Sequence, residues 1–247
     1  MKKIVINADD FGLTEAVSLG IISGHVEGVI SSTSLMVNME YAREACKIAK
    51  SYPELGLGVH LNVTLGRPIS EASKIPSLVN ENGIFHSGKD YSLGLVTPNE
   101  DQLLIEFEAQ IQNFIEFTGR NPDHINYHHK YDFFGLFPNI TNFLIEKYNV
   151  PLRLEKEHKG YPYVFATKHE ILMKEEINET LFYKYIEEKI NEDLVEIPNH
   201  AGFVDYELMK ISSLNTGRAR DLYLLKNSNI KEVLRKKGYE IVNWANI

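Results

Sequence analysis

The sequence predicts a parallel α/β fold, a (β/α) TIM-like barrel or barrel-like sheet of about seven parallel strands that forms one domain over residues 1–247. Three observations carry this expectation. The run "KIVIN" is continuously apolar and β-branched at its centre, as a strand buried on both faces must be. Strand-like runs alternate with segments of helical spacing, the serial pattern that builds a parallel sheet. The first strand runs into "NADDFG", not into a G-x-G-x-x-G turn, so a barrel is preferred over a dinucleotide-binding open sheet.

In chain order, "KIVIN" is the first strand, followed by a helix over "TEAVSLGIISGHVE" that Gly28 stops. "STSLMVN" is the second strand, residues 40–52 the second helix and "LGLGVHLNV" the third strand. Residues 64–96 carry Gly, Pro and Ser with weak periodicity and read as a loop insertion of the kind that serves a site. "TPNEDQLLIEFEAQIQNFIEFTG" is the clearest helix, with Thr97 as N-cap, Pro98 at the first turn, Glu100 completing a capping box and Gly119 ending it. "HINYH" and "PLRLE" are strands on either side of the helix "FPNITNFLIEKYN". A mixed region then leads to the helix "ETLFYKYIEEKINED", the strand "LVEIPN", the helix "GRARDLYLLKN" and the strand "GYEIVNW".

Composition narrows the function. A net charge of -8 argues against a surface that tracks nucleic-acid phosphates. No apolar run approaches a membrane span, and "IVI" is too short for a signal-peptide core. The single cysteine, Cys46, cannot form an internal disulfide and reads as a packed helix residue. Together these point to a soluble cytoplasmic protein.

In parallel α/β folds chemistry collects at the carboxyl ends of the strands. Asp9 and Asp10, His60, His128, Arg153 and His200 end five separate predicted strands. One such residue would be an ordinary cap or hydrogen-bonding group; five strands delivering ionisable groups to one rim mark a site. Side-chain alternation turns His60 to the barrel axis, selects His128, with His124 possible, and sends His129 away. Alternation would also send Asp9 and Asp10 to opposite faces, so the strand is expected to end near Ala8 if both serve one site. One Asp and two His make a three-ligand site for one divalent cation with open positions, suited to zinc, iron, cobalt or manganese and not excluding magnesium. The second carboxylate would then stay ionised and accept a proton from water. "GIFHSGKD" misses a P-loop because Asp90 replaces the hydroxyl residue, and His169 lacks an H-E-x-x-H context. His25, His86 and His158 read as ordinary core or surface histidines, and the aromatics of "YDFFGLF" as core.

"NADDFG", "GVHLN", "HINYHH" and "EIPNHAGFVD", in this order from Lys3 to about Gly238, resemble the YdjC-like carbohydrate deacetylases. "RARDLYLL" is similar to a late R-x-x-E-L segment of that family, with Asp221 in the Glu place. The resemblance implies a distorted barrel, often a homodimer. It implies removal of acetyl groups from N-acetylated sugars, with small chitooligosaccharides such as diacetylchitobiose as substrate. By motif position, Asp10, His60 and His128 would hold one divalent cation, Mg2+ or Zn2+. Asp9 would be the general base, Arg153 its orienting partner, and His200 the general acid or a substrate contact. The sequence departs from the family pattern at Asn126, where an Asp is usual, at Lys130 and Asp132, where His residues are usual, and at Ala201, where the family has Pro. A noncatalytic sugar-binding protein, or another metal-dependent hydrolase, is the alternative.

Overall fold

The computed structural model describes residues 2–129, 138–153, 167–173, 177–227 and 229–247. Lys130, Asp132, the "YDFFGLF" aromatics and His158 lie outside the described residues. The strands are β1 (Lys2–Phe11), β2 (Ser32–Leu35), β3 (Gly56–Leu61), β4 (Ile125–Tyr127), β5 (Thr167–Lys168), β6 (Leu194–Asn199) and β7 (Tyr239–Ile241). The helices are α1 (Glu15–Val26), α2 (Ala42–Ala49), α3 (Gly88–Ser92), α4 (Glu100–Thr118), α5 (Pro138–Tyr148), α6 (Glu179–Lys189), α7 (Tyr206–Ile211), α8 (Thr216–Lys226) and α9 (Asn229–Lys236).

Among the described residues all strand pairs are parallel, and the sheet order is β4-β3-β2-β1-β6-β5. The expectation of a barrel of about seven strands needs correction. Six strands follow one path, while β7 pairs with the first residues of β1 off that path. Of "PLRLE", the described residues 151–153 supply one parallel bridge, Ile125 to Leu152, and the rest of that expected strand lies outside the described residues. The sheet nonetheless curls strongly. β4 and β1 are three strands apart, about 14 Å in a flat sheet, yet the side chains of Asn126 and Asp9 meet at 3.3 Å.

Local chemistry accounts for the element ends. Thr14 caps α1 by accepting from the Val17 N–H. The cap of α4 is Asn99, not Thr97, and accepts from the Gln102 N–H. An Asn two residues nearer the apolar stripe is an equally good cap, so the helix starts later than expected. Gly119 ends α4 in the left-handed conformation, φ 76°, as expected. The buried face of α4 carries Leu103, Phe107, Ile111 and Phe114 at helical spacing, each contributing about 1.5–3 kcal/mol by burial. The same face carries the buried Glu106, whose carboxylate accepts the N–H groups of Ile69 and Ser70 and so pins the 64–96 segment to the barrel. No helix among the described residues is long and apolar enough to cross a membrane.

Candidate metal centre

The adjacent carboxylates are brought to one site by a defect in β1. The pairing with β2 advances three residues on β1, from Ala8 to Phe11, against two on its partner, from Thr33 to Leu35. That extra residue is a β-bulge, which re-aims side chains. Asp10 takes a positive φ of 68°, unusual for a residue with a Cβ. The strand therefore does not end at Ala8 as expected. It continues to Phe11, and the bulge breaks the alternation that would have separated the two side chains.

Asp10 Oδ1 lies 3.2 Å from His60 Nε2 and 2.9 Å from His128 Nδ1. One ligand atom from each of Asp10, His60 and His128 falls within 4.8 Å of the others. Donors at zinc-ligand distances stand about 3.3 Å apart in a tetrahedron, and magnesium donors about 2.9 Å apart in an octahedron. The observed spacings span both, so these three residues could hold a divalent cation. Electrostatics agree. Burial would lower the His60 pKa, yet the carboxylates of Asp10 and Asp9 outweigh it and raise it, so the site attracts positive charge. Three buried carboxylates, Asp9, Asp10 and Glu196, face two guanidinium groups, Arg153 and Arg218.

Asn126 stands where a carboxylate partner was expected and contacts His60 Nδ1 at 2.6 Å. With its oxygen toward His60, Nδ1 carries the proton and Nε2 is left with the lone pair that a metal requires. The amide nitrogen then donates to Asp9 Oδ1 at 3.3 Å. The opposite amide orientation, with the oxygen 3.1 Å from Arg153, would place the His60 proton on Nε2 and suit a metal-free hydrogen bond to Asp10.

Arg153 grips Asp9 with both ends of its fork, at 2.7 and 2.9 Å, and also holds Glu196 of β6 at 2.6 and 2.9 Å. Burial would raise the Asp9 pKa; the Arg153 charge, with His60 and the Arg153 hydrogen bonds, carries it well below the usual carboxylate range. Asp9 Oδ1 also accepts from Asn7 at 2.8 Å and Ser34 at 3.2 Å. Oδ2 accepts only from Arg153 among the described residues, so Oδ2 is the oxygen with capacity left for a proton.

His200 follows β6, and Asp10 and Asp9 both act on its charge; burial nevertheless lowers its pKa. His124, the other alternation candidate, is elsewhere: it hydrogen-bonds Asp123 at 2.6 Å and stacks on Trp244. His129 departs from the alternation that sent it away. A φ of 65° brings its ring to 3.9 Å from that of His128, and its Nδ1 lies 2.8 Å from Thr64. Sequence reasoning missed Arg218 and Glu196. Arg218 is buried on α8 and binds Asp10 Oδ2 at 2.7 Å, leaving Oδ1 to the histidines. A carboxylate inside the apolar run "LVEIPN" and the arginine of "RARD" were the available signals.

The YdjC-like protein family matches residues 3–236. Carbohydrate deacetylase 2 of Listeria innocua serovar 6a is 34% identical, over 99% of this chain and 98% of that protein. The chitooligosaccharide deacetylase of Proteus mirabilis is 30% identical, over 99% of this chain and 98% of its own length. A crystal structure from Enterococcus faecalis V583, described as a candidate cellobiose-phosphate cleavage protein, superposes with a TM-score of 0.88 at 30% identity, covering 99% of this chain and 98% of that one. By that match over nearly its whole length, this chain belongs to the YdjC-like protein family.

Proposed function

We propose that this protein is a metal-dependent carbohydrate N-deacetylase that hydrolyses the acetamide of a small N-acetylated oligosaccharide, such as diacetylchitobiose, to acetate and a free amino sugar. The observation that carries the reading is the pairing of two unlike carboxylates. Asp10 shares one point with His60 and His128, while Asp9 beside it is ionised, held by Arg153 and open at Oδ2. The names of the Listeria and Proteus relatives support the substrate class.

Asp10 Oδ1, His60 Nε2 and His128 Nδ1 would hold one divalent cation, Mg2+ or Zn2+. Such a cation would raise the acidity of water and stabilise negative charge on the amide oxygen. That assistance suits Asp9, which Arg153 keeps ionised at rest and weakly basic. Asp9 Oδ2 takes the proton of the attacking water, and Arg153 keeps the carboxylate aimed as it does so. Burial favours the neutral form of His200 at rest; the proton that Asp9 takes from the water is handed on through His200 to the amine nitrogen as the C–N bond breaks, so the sugar leaves as a free amine.

The test is acetate release from diacetylchitobiose, with and without a sugar phosphate because the Enterococcus relative is described by a phosphorylated disaccharide. Release that stops on chelation and returns with Mg2+ or Zn2+ supports the reading. No release from folded, metal-loaded protein on either sugar refutes it and favours a noncatalytic sugar-binding protein. Light scattering tests the homodimer that the resemblance implies.

A further inference from the structure

We infer that Asp221, on α8, is the positioning residue of His200. This rests on the reading of His200 given above. Four consecutive backbone N–H groups fix the loop that carries His200, and each goes to a different acceptor. His200 N–H donates to Asp221 Oδ2 at 3.2 Å, and Ala201 N–H to Asn199 Oδ1 at 3.1 Å. Gly202 N–H donates to the Arg218 carbonyl at 3.3 Å, and Phe203 N–H to the Ala16 carbonyl at 3.3 Å. Asn199 is tied in turn to the Asn7 carbonyl of β1 at 2.9 Å. The loop is thus held from β6, α8 and α1, and the peptide of His200 itself hangs on the one side-chain carboxylate in the series.

Asp221 is placed for this by the helix. It lies one turn after Arg218, so both side chains share a face of α8, and both are buried. From that face Arg218 reaches Asp10 at 2.7 Å and Asp221 reaches the His200 peptide. The far oxygen of Asp221 is taken by Arg220 at 3.0 Å. α8 is anchored against α1, where a Cβ on Gly24 would stand 3.1 Å from the Leu222 side chain, and the Val29 N–H donates to the Leu225 carbonyl at 3.1 Å. A carboxylate on a braced helix therefore sets where the His200 backbone sits relative to Asp9 and Asp10. Small displacements of a reacting group cost rate steeply.

The experiment is a double-mutant cycle on acetate release, with kcat, KM and bound metal measured for the wild type, D221A, H200A, the double variant and D221N. Asp221→Ala is expected to lower kcat roughly 10- to 100-fold, with KM and bound metal unchanged. Asp221→Asn keeps an acceptor for the His200 N–H and recovers most of that loss. In the impaired H200A background, D221A costs nothing more, because its effect passes through His200. If D221A does not fold, Asp221→Ser, whose hydroxyl stops one bond short of the peptide, takes its place in the cycle. An equal cost of D221A with and without His200, or no rescue by D221N, overturns the inference while leaving the deacetylase reading intact. Unimpaired turnover of H200A removes His200 from the mechanism, and the inference with it.

Discussion

Replacing Arg153 with methionine keeps the apolar stem but removes the guanidinium that joins Asp9 to Glu196. The side chains left behind are 7% and 1% exposed, so both carboxylates stay out of bulk water. Unit charges about 4 Å apart at an effective dielectric of about 20 attract by about 4 kcal/mol. The folded variant can avoid that loss by protonating Asp9, whose ordinary pKa is 3.8. At pH 7 that also costs about 4 kcal/mol, at about 1.4 kcal/mol per pH unit. A destabilisation of about 4 kcal/mol at pH 7 follows, within the range for breaking a buried pair. Its sign with pH is set by linkage. In the wild type the Asp9 pKa is depressed, so its stabilisation is fully present above 3.8 and is lost only as pH falls through the lower folded value. In the variant, burial is opposed only by the weaker influence of His60 and His200 and raises the folded value above 3.8, and stability falls as pH rises toward it. The destabilisation should therefore shrink from about 4 kcal/mol at pH 7 to about 2 kcal/mol at pH 5. Denaturant unfolding of both proteins at pH 5, 6 and 7, with chelator throughout, measures it. A pH-independent difference, or a variant as stable as the wild type at pH 7, would refute the reasoning.

Asp9→Asn is expected to retain metal and lose acetate release by about 100-fold or more; near-full activity would take the base role from Asp9. His200→Ala should lose turnover at unchanged metal content, and both are read by kinetics beside metal analysis. Gly20→Ala places a Cβ 2.2 Å from the Phe203 backbone nitrogen and 2.6 Å from Gly202 Cα, in the segment that follows His200. It should cost about 1–3 kcal/mol of stability and reduce turnover, which unfolding and activity assays check together. The Cys46 thiol is buried, and burial pushes its pKa up to about 12. A thiol reagent at pH 8 should leave it unmodified in the native protein and label it on unfolding; fast native labelling would contradict that placement.

Much of this protein is written locally in its sequence. "KIVIN" became a parallel strand because a continuous apolar, β-branched run suits a sheet covered on both faces, and "LVEIPN" pairs beside it through its Val195 and Ile197 core residues. The rim residues Asp10, His60 and His128 were legible because strand ends and side-chain alternation are short-range properties. Alternation failed where the backbone left the regular strand. The bulge at Ala8 to Phe11 and the positive φ of Asp10 and His129 depend on pairing with neighbours and on buried partners, which no local pattern encodes. The reach of Arg153 to Asp9, 144 residues away, and of Arg218 to Asp10, 208 residues away, exists only once the sheet curls. The sequence by itself determined which residue types stand at the strand ends. Motif resemblance named Asp10 as the partner of the histidines and Arg153 as that of Asp9; the tertiary structure decided how they meet, through the bulge in β1 and the added grip of Arg218 and Glu196, because curvature and charge pairing act between segments distant in the chain.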